Sequence, residues 1–216
     1  MLSIRDLRFA YPNGGFSLSV ADFSAAEGET VGIGGPSGTG KSTFLRLLSG
    51  ILRPDTGSVT ICGENEAQLS ARSLRALRLR RLGLVFQDFA LLDYLSVEDN
   101  ILLPSRLGGT FDDHVREQAR ELADRLEIAQ HWNRLCGEIS QGERQRVAVA
   151  RALVHSPGAV LADEPTASLD AKQSQIVMSL LTRYAKEKRA TLVVVTHDSA
   201  LSAQLERVVN VEEWTP

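Results

Sequence analysis

Residues Gly35-Pro36-Ser37-Gly38-Thr39-Gly40-Lys41-Ser42, followed by Thr43, carry the spacing G-x-x-x-x-G-K-[ST]. Glycines so spaced let the backbone curl until successive N–H groups converge on phosphate oxygens. The helix that opens at such a loop adds free donors and positive partial charge. Lys41 then brings a mobile cation to β- and γ-phosphates, and the Ser42 hydroxyl can ligate Mg²⁺. A second group of residues suits the same chemistry. Asp163-Glu164 ends an apolar run at 159–162, where a parallel sheet presents its carboxyl edge to ligands. There Asp163 would hold Mg²⁺ and Glu164 would serve as general base to the attacking water. His197 closes the run 191–196 and would lie on the same edge, able to orient that water or donate to the γ-phosphate. Taken singly, the glycines suit a turn with a solvated lysine, the adjacent acids a solvated turn, and the histidine a structural position.

The elements that must position these groups are legible as short β-branched runs separated by longer helical patterns. Strands are expected at 30–33, 58–62, 83–86, 159–162, 191–196 and 208–211. Helices are expected at 41–51, 112–128, 142–155, 171–188 and 198–205. Val160-Leu161-Ala162 and Leu192-Val193-Val194-Val195 are apolar on both faces, as strands of a covered parallel sheet are. Asp112-Asp113 and Ser140 place capping side chains at helix starts. Alternating strands and helices predict an α/β fold, with residues 89–137 read as a helical insertion.

The 216 residues suit a single domain of 1–216, and 24 Lys and Arg against 27 Asp and Glu leave a net charge of −3. That balance argues against a generally basic nucleic-acid binder. Met1-Leu2-Ser3-Ile4-Arg5-Asp6 turns charged before a signal-peptide core could form, and no apolar run approaches the ~20 residues of a membrane span. Cys62 and Cys136 stand apart without metal-ligand spacing, which predicts free thiols and a reducing, cytoplasmic setting.

Ile139-Ser140-Gln141-Gly142-Glu143-Arg144-Gln145-Arg146, together with the phosphate loop, resembles the signature of the ABC-type ATPase nucleotide-binding domain. The resemblance covers nearly the whole chain. It implies a P-loop core with an N-terminal antiparallel β-subdomain and a helical subdomain inserted at about 87–157. It also implies ATP and Mg²⁺ as ligands, with Tyr11 stacking on adenine and Gln87 touching Mg²⁺ beside Ser42 and Asp163. Ser168-Leu169-Asp170 resembles the family's D-loop, and His197 its switch histidine. Ser140 and Gly142 are implied to act in trans, closing over ATP held by a second copy or a homologous cassette. Gln141 departs from the family, which usually has glycine there.

Residues 70–81 with Leu82-Gly83-Leu84-Val85-Phe86-Gln87 resemble the lipoprotein-releasing, macrolide-efflux and cell-division ATPases. That subgroup implies integral membrane permease partners at the cytoplasmic face of the membrane and no nucleic acid. The alternative within it is a regulatory ATPase that signals through a membrane partner to cell-wall enzymes. Phe89, Leu91, Leu92, Tyr94 and Leu95 are implied to line the groove for a partner helix. Arg72, Arg75, Arg78, Arg80 and Arg81 read as a solvated basic face, the alternative being attraction to anionic lipid or an acidic coupling helix, and Trp132 and Trp214 as packing or surface residues.

Overall fold

The computed structural model describes residues 1–12 and 14–214. The chain starts with two long strands, β1 (Leu2–Ala10) and β2 (Ser17–Ala25), followed by β3 (Thr30–Gly34) and helix α1 (Lys41–Leu48). Next come β4 (Thr56–Ile61), β5 (Glu64–Asn65), α2 (Ala71–Arg81) and β6 (Leu82–Val85). Three helices follow: α3 (Val97–Gly108), α4 (Asp113–Arg125) and α5 (Gln141–Leu153). The last elements are β7 (Ala159–Asp163), α6 (Ala171–Lys188), β8 (Thr191–Val195), the short α7 (Ser199–Ser202) and β9 (Arg207–Asn210).

These strands form two sheets. One is antiparallel in the order β2-β1-β4-β5, and the other runs β6-β7-β8-β3-β9 with every pair parallel. Side chains of the parallel strands alternate between two cores. Ala159, Leu161, Val193 and Val195 join the core shared with β1, β2, β4 and α1, while Val160, Ala162, Leu192 and Val194 join the helical core beneath. Continuous apolar runs in β7 and β8 are the consequence, since neither face of these central strands meets water.

β1 and β2 have no counterpart among the expected runs, for a physical reason. Each alternates buried and exposed residues but slips once, at Arg5-Asp6 in β1 and at Ala21-Asp22 in β2. Asp6 takes a positive φ of 47°, and the β1–β4 register shifts between Arg5 and Arg8. This bulge interrupts the period-two pattern that marks a strand in sequence. The expected strand 58–62 is β4 and belongs to the antiparallel sheet, while the helix expected at 198–205 shortens to α7. Helix α1 also ends earlier than expected, at Leu48, where Gly50 takes φ 66°. Trp214 is a packing residue: it is buried and stacks on Phe44 at 4.3 Å. No helix among the described residues is long and apolar enough to cross a membrane.

The region between β6 and β7 is held by buried polar groups. Asn100 is fully buried, accepts from the Leu92 N–H at 2.9 Å, and donates to the Leu92 and Ser96 carbonyls at 3.0 Å. Arg151 donates to the carbonyls of Phe89 and Ala90, fixing the segment that follows Gln87. Phe89 and Leu91 pack onto the helical core, and Tyr94 is exposed. An apolar cleft of about 230 Å³ next to them is lined by Leu84, Phe86, Ala90, Leu103 and Leu107, among others. Of the five arginines, Arg78 donates to the Gly50 carbonyl at 2.7 Å, and the other four are exposed.

His155, just past α5, bonds the Leu82 carbonyl through Nε2 at 3.0 Å, while its Nδ1 is buried without a partner. Burial lowers its pKa, against a smaller opposing effect of the carbonyl. The unfolded chain therefore takes up the proton first. The stability contributed is full above the usual histidine value of 6.5 and is lost as pH falls through the lower folded value. Between pH 7.5 and 5.5 the thermal midpoint of the wild type is expected to fall more than that of His155→Gln, whose amide keeps the donor. Parallel pH profiles would refute this role.

Candidate active site

All the groups singled out for phosphate chemistry, apart from the signature residues, lie at the carboxyl ends of β3, β6, β7 and β8, the ligand edge of an open α/β sheet. The loop after β3 delivers its lysine into the first turn of α1. Gly40 caps that helix with φ 93° and no side-chain cap, and an added Cβ would lie 2.2 Å from Phe16 Cζ, so glycine is required on both counts. Without a capping side chain, the first N–H groups of α1 stay open to a ligand. Lys41 is buried, and its Nζ donates to the Gly35 carbonyl at 2.8 Å and the Pro36 carbonyl at 2.6 Å. Thr39 Oγ1 donates to the Pro36 carbonyl at 2.8 Å.

A cleft of about 440 Å³ opens over this loop. It is lined by Ser37, Gly38, Gly40, Lys41, Ser42, Thr43, Tyr11, Gln87, Asp163 and Glu164, and also by Phe16 and Val195. Tyr11 sits edge-on to Phe9 at 4.9 Å and shares a hydrogen bond of 3.2 Å with Thr43. Phe16 lies 6.5 Å from Tyr11, ring centre to ring centre. Sequence reasoning missed Phe16 because nothing local marks it; only its seat on Gly40 brings it to the cleft.

Asp163 ends β7 and is buried, with Oδ1 lacking any hydrogen-bond partner. Burial raises its pKa, the hydrogen bond from Ser42 works the other way, and the neighbouring Glu164 charge raises it again. Glu164 takes a positive φ of 48°, held by its N–H donating to the Val195 carbonyl at 2.9 Å. Its Oε1 meets His197 Nδ1 at 2.9 Å, and its Oε2 is buried without a partner. The bond to Glu164 raises the pKa of His197, whose ring is otherwise largely exposed.

The signature residues stand apart. Ser140 and Gly142 begin α5 and do not line the cleft of their own chain. A Cβ on Gly142 would meet the Ser168 carbonyl at 3.2 Å, so this glycine admits the 168–170 segment of the same chain.

The sequence profile of the ABC transporter family matches residues 18–167. This chain belongs to the ABC transporter family. It is an ATP-binding and ATP-hydrolysing subunit of that family, built as a P-loop ABC cassette. This ABC protein is 43% identical to the uncharacterized ABC transporter ATP-binding protein YvcR of Bacillus subtilis, over 91% of its own length and 76% of the relative's. It is 39% identical to the lipoprotein-releasing system ATP-binding protein LolD of Pseudomonas fluorescens, over 99% and 95%. The ATP-binding cassette MJ0796, solved as a dimer in a post-hydrolysis state with ADP and Pi, superposes with a TM-score of 0.91 at 33% identity, covering 97% of this chain and 94% of that one.

Proposed function

We propose that the whole chain is one cassette, its helices between about 87 and 157 forming a subdomain, and that the cleft over the P-loop hydrolyses Mg²⁺-ATP. Tyr11 and Phe16 would hold the adenine. Gly35, Pro36, Ser37, Gly38, Thr39, Gly40, Lys41, Ser42 and Thr43 would cradle the phosphates. The donor set for a cation is all oxygen and amide: the Ser42 hydroxyl, Gln87, and the buried, unpartnered Oδ1 of Asp163. Hard oxygen donors of this kind suit Mg²⁺, which when bound neutralises phosphate charge and orients the γ-phosphate.

The observation that carries the reading is the Glu164–His197 pair beside that carboxylate. His197 occupies Oε1, so Oε2 is the oxygen placed to take the proton as water attacks the γ-phosphorus and ADP leaves. Asp163, one residue away, keeps a separate task. Ser140 and Gly142, absent from their own cleft, would contact the nucleotide of a second copy or a homologous cassette, so that two ATP molecules lie between paired chains. The dimeric form of the similar MJ0796 cassette supports this arrangement.

The reading extends to a subunit of the lipoprotein-releasing type, bound to integral permease subunits at the cytoplasmic face of the membrane. It is supported by the LolD relatives that match nearly end to end. Tagged Glu164→Gln chain held with Mg²⁺-ATP and extracted from membranes in mild detergent is expected to retain a permease with few spanning helices and a large external domain. Recovery of soluble or nucleic-acid partners alone would overturn the transport part of the reading.

A further inference from the structure

The start of α5 carries a carboxylate that the hydrolytic steps leave unused. Ser140 Oγ accepts from the Glu143 N–H at 3.4 Å and donates to Glu143 Oε2 at 2.9 Å, and the Ser140 N–H donates to the same oxygen at 2.8 Å. Glu143 Oε1 lies 2.8 Å from His131 Nε2. A carboxylate only accepts, so the ring donates. His131 Nδ1 is buried and has no partner, which leaves Glu143 as the polar contact of that ring. Arg144, the cation next along α5, is committed elsewhere, to the Cys136 carbonyl and to Asp93.

The pair is partly shielded, with side chains 14% and 22% exposed, so its electrostatics are less screened than on an open surface. Burial alone would raise the Glu143 pKa. The donors from Ser140 and then His131 outweigh it and hold the carboxyl below the usual range. An anionic oxygen therefore holds the very hydroxyl proton that Ser140 would offer a phosphate. It also places negative charge at a helix start that would receive an anion, where the helix itself favours one.

We propose that His131 is a positioning residue for ATP-driven pairing of the chains. By holding Glu143 Oε1 it pins the carboxylate in the cap and draws off its charge, which lets Ser140 turn its hydroxyl toward the opposite nucleotide. His131 touches no nucleotide; it acts through Glu143. The proposal rests on the reading that Ser140 works in trans.

The test follows ATP turnover per chain against chain concentration at saturating Mg²⁺-ATP, the half-maximal concentration reporting pairing. Ser140→Ala comes first. If it leaves that concentration unchanged, the trans reading fails and the role of His131 with it. Where Ser140→Ala does impair pairing, His131→Ala is expected to raise the half-maximal concentration about tenfold, or ~1.4 kcal/mol. Binding of a fluorescent ATP analogue to the single chain should not change. His131→Gln, which restores a neutral donor, is expected to recover most of the loss. In a Glu143→Gln background, where no anion remains, His131→Ala is expected to add nothing. An equal shift in that background, or no shift in the unmodified one, overturns the proposal and leaves the trans reading standing.

Discussion

Glu164→Gln is expected to lower ATP turnover about a thousandfold while ATP still binds, within the 10²–10⁴ range for removing a general base. That loss corresponds to ~4 kcal/mol in the barrier. The substitution is close to isosteric. The amide oxygen can still accept from His197 Nδ1, as Oε1 does at 2.9 Å, so the histidine stays in place. The NH₂ then occupies the position of Oε2, the buried oxygen without a partner, and it can donate but not take a proton. The backbone of Glu164 is secured separately by its N–H bond to the Val195 carbonyl, which the substitution does not touch. With chemistry stopped and both phosphate contacts retained, ATP-bound pairs should accumulate, read as a doubling of mass by light scattering in Mg²⁺-ATP. Turnover at the wild-type rate would remove Glu164 from its role.

Lys41→Ala is expected to weaken ATP binding about a hundredfold, ~2.7 kcal/mol, measured by titration of a fluorescent nucleotide. A hydrogen bond from a charged donor contributes about 1.5–3 kcal/mol, and this ammonium is half of a cradle whose other half is backbone N–H groups. Lys41 has a second task. Its Nζ ties the Gly35 and Pro36 carbonyls together, so the variant also loosens the loop. Gly35 is only half-buried and Pro36 is exposed, so water can replace the lysine at their carbonyls, and the thermal midpoint without nucleotide should fall by only a few degrees. A lower midpoint with unchanged nucleotide affinity would make Lys41 a structural bridge and refute the cradle.

How much of this was readable in advance differs residue by residue. The phosphate loop is contiguous: Gly40, Lys41 and Ser42 lie within one strand-to-helix turn, and the glycine spacing encodes the left-handed backbone directly. Asp163 and Glu164 were legible because they close a short apolar run that reads as a covered strand, in a chain that already carries the phosphate loop. By contrast, β1 and β2 escaped the local pattern, since each loses its alternation where the strand slips. Phe16 escaped for another reason. Its approach to Gly40 spans β2, β3 and the loop, and no local property announces it.

The sequence by itself determined the local devices: the loop that curls, the acids at a strand end, the capping serine of α5. Each depends on backbone preferences and burial within a few residues, which the order of residue types encodes. Only the tertiary structure decided which devices meet. Strand order β7-β8-β3 sets Glu164 against His197 across 33 positions and brings both beside the lysine loop. The packing of α5 keeps Ser140 out of its own cleft, where its hydroxyl donates a hydrogen bond to Glu143, with His131 on the far oxygen. Such meetings follow from how sheets and helices stack, and that is a sum of many distant contacts rather than a property of any one segment.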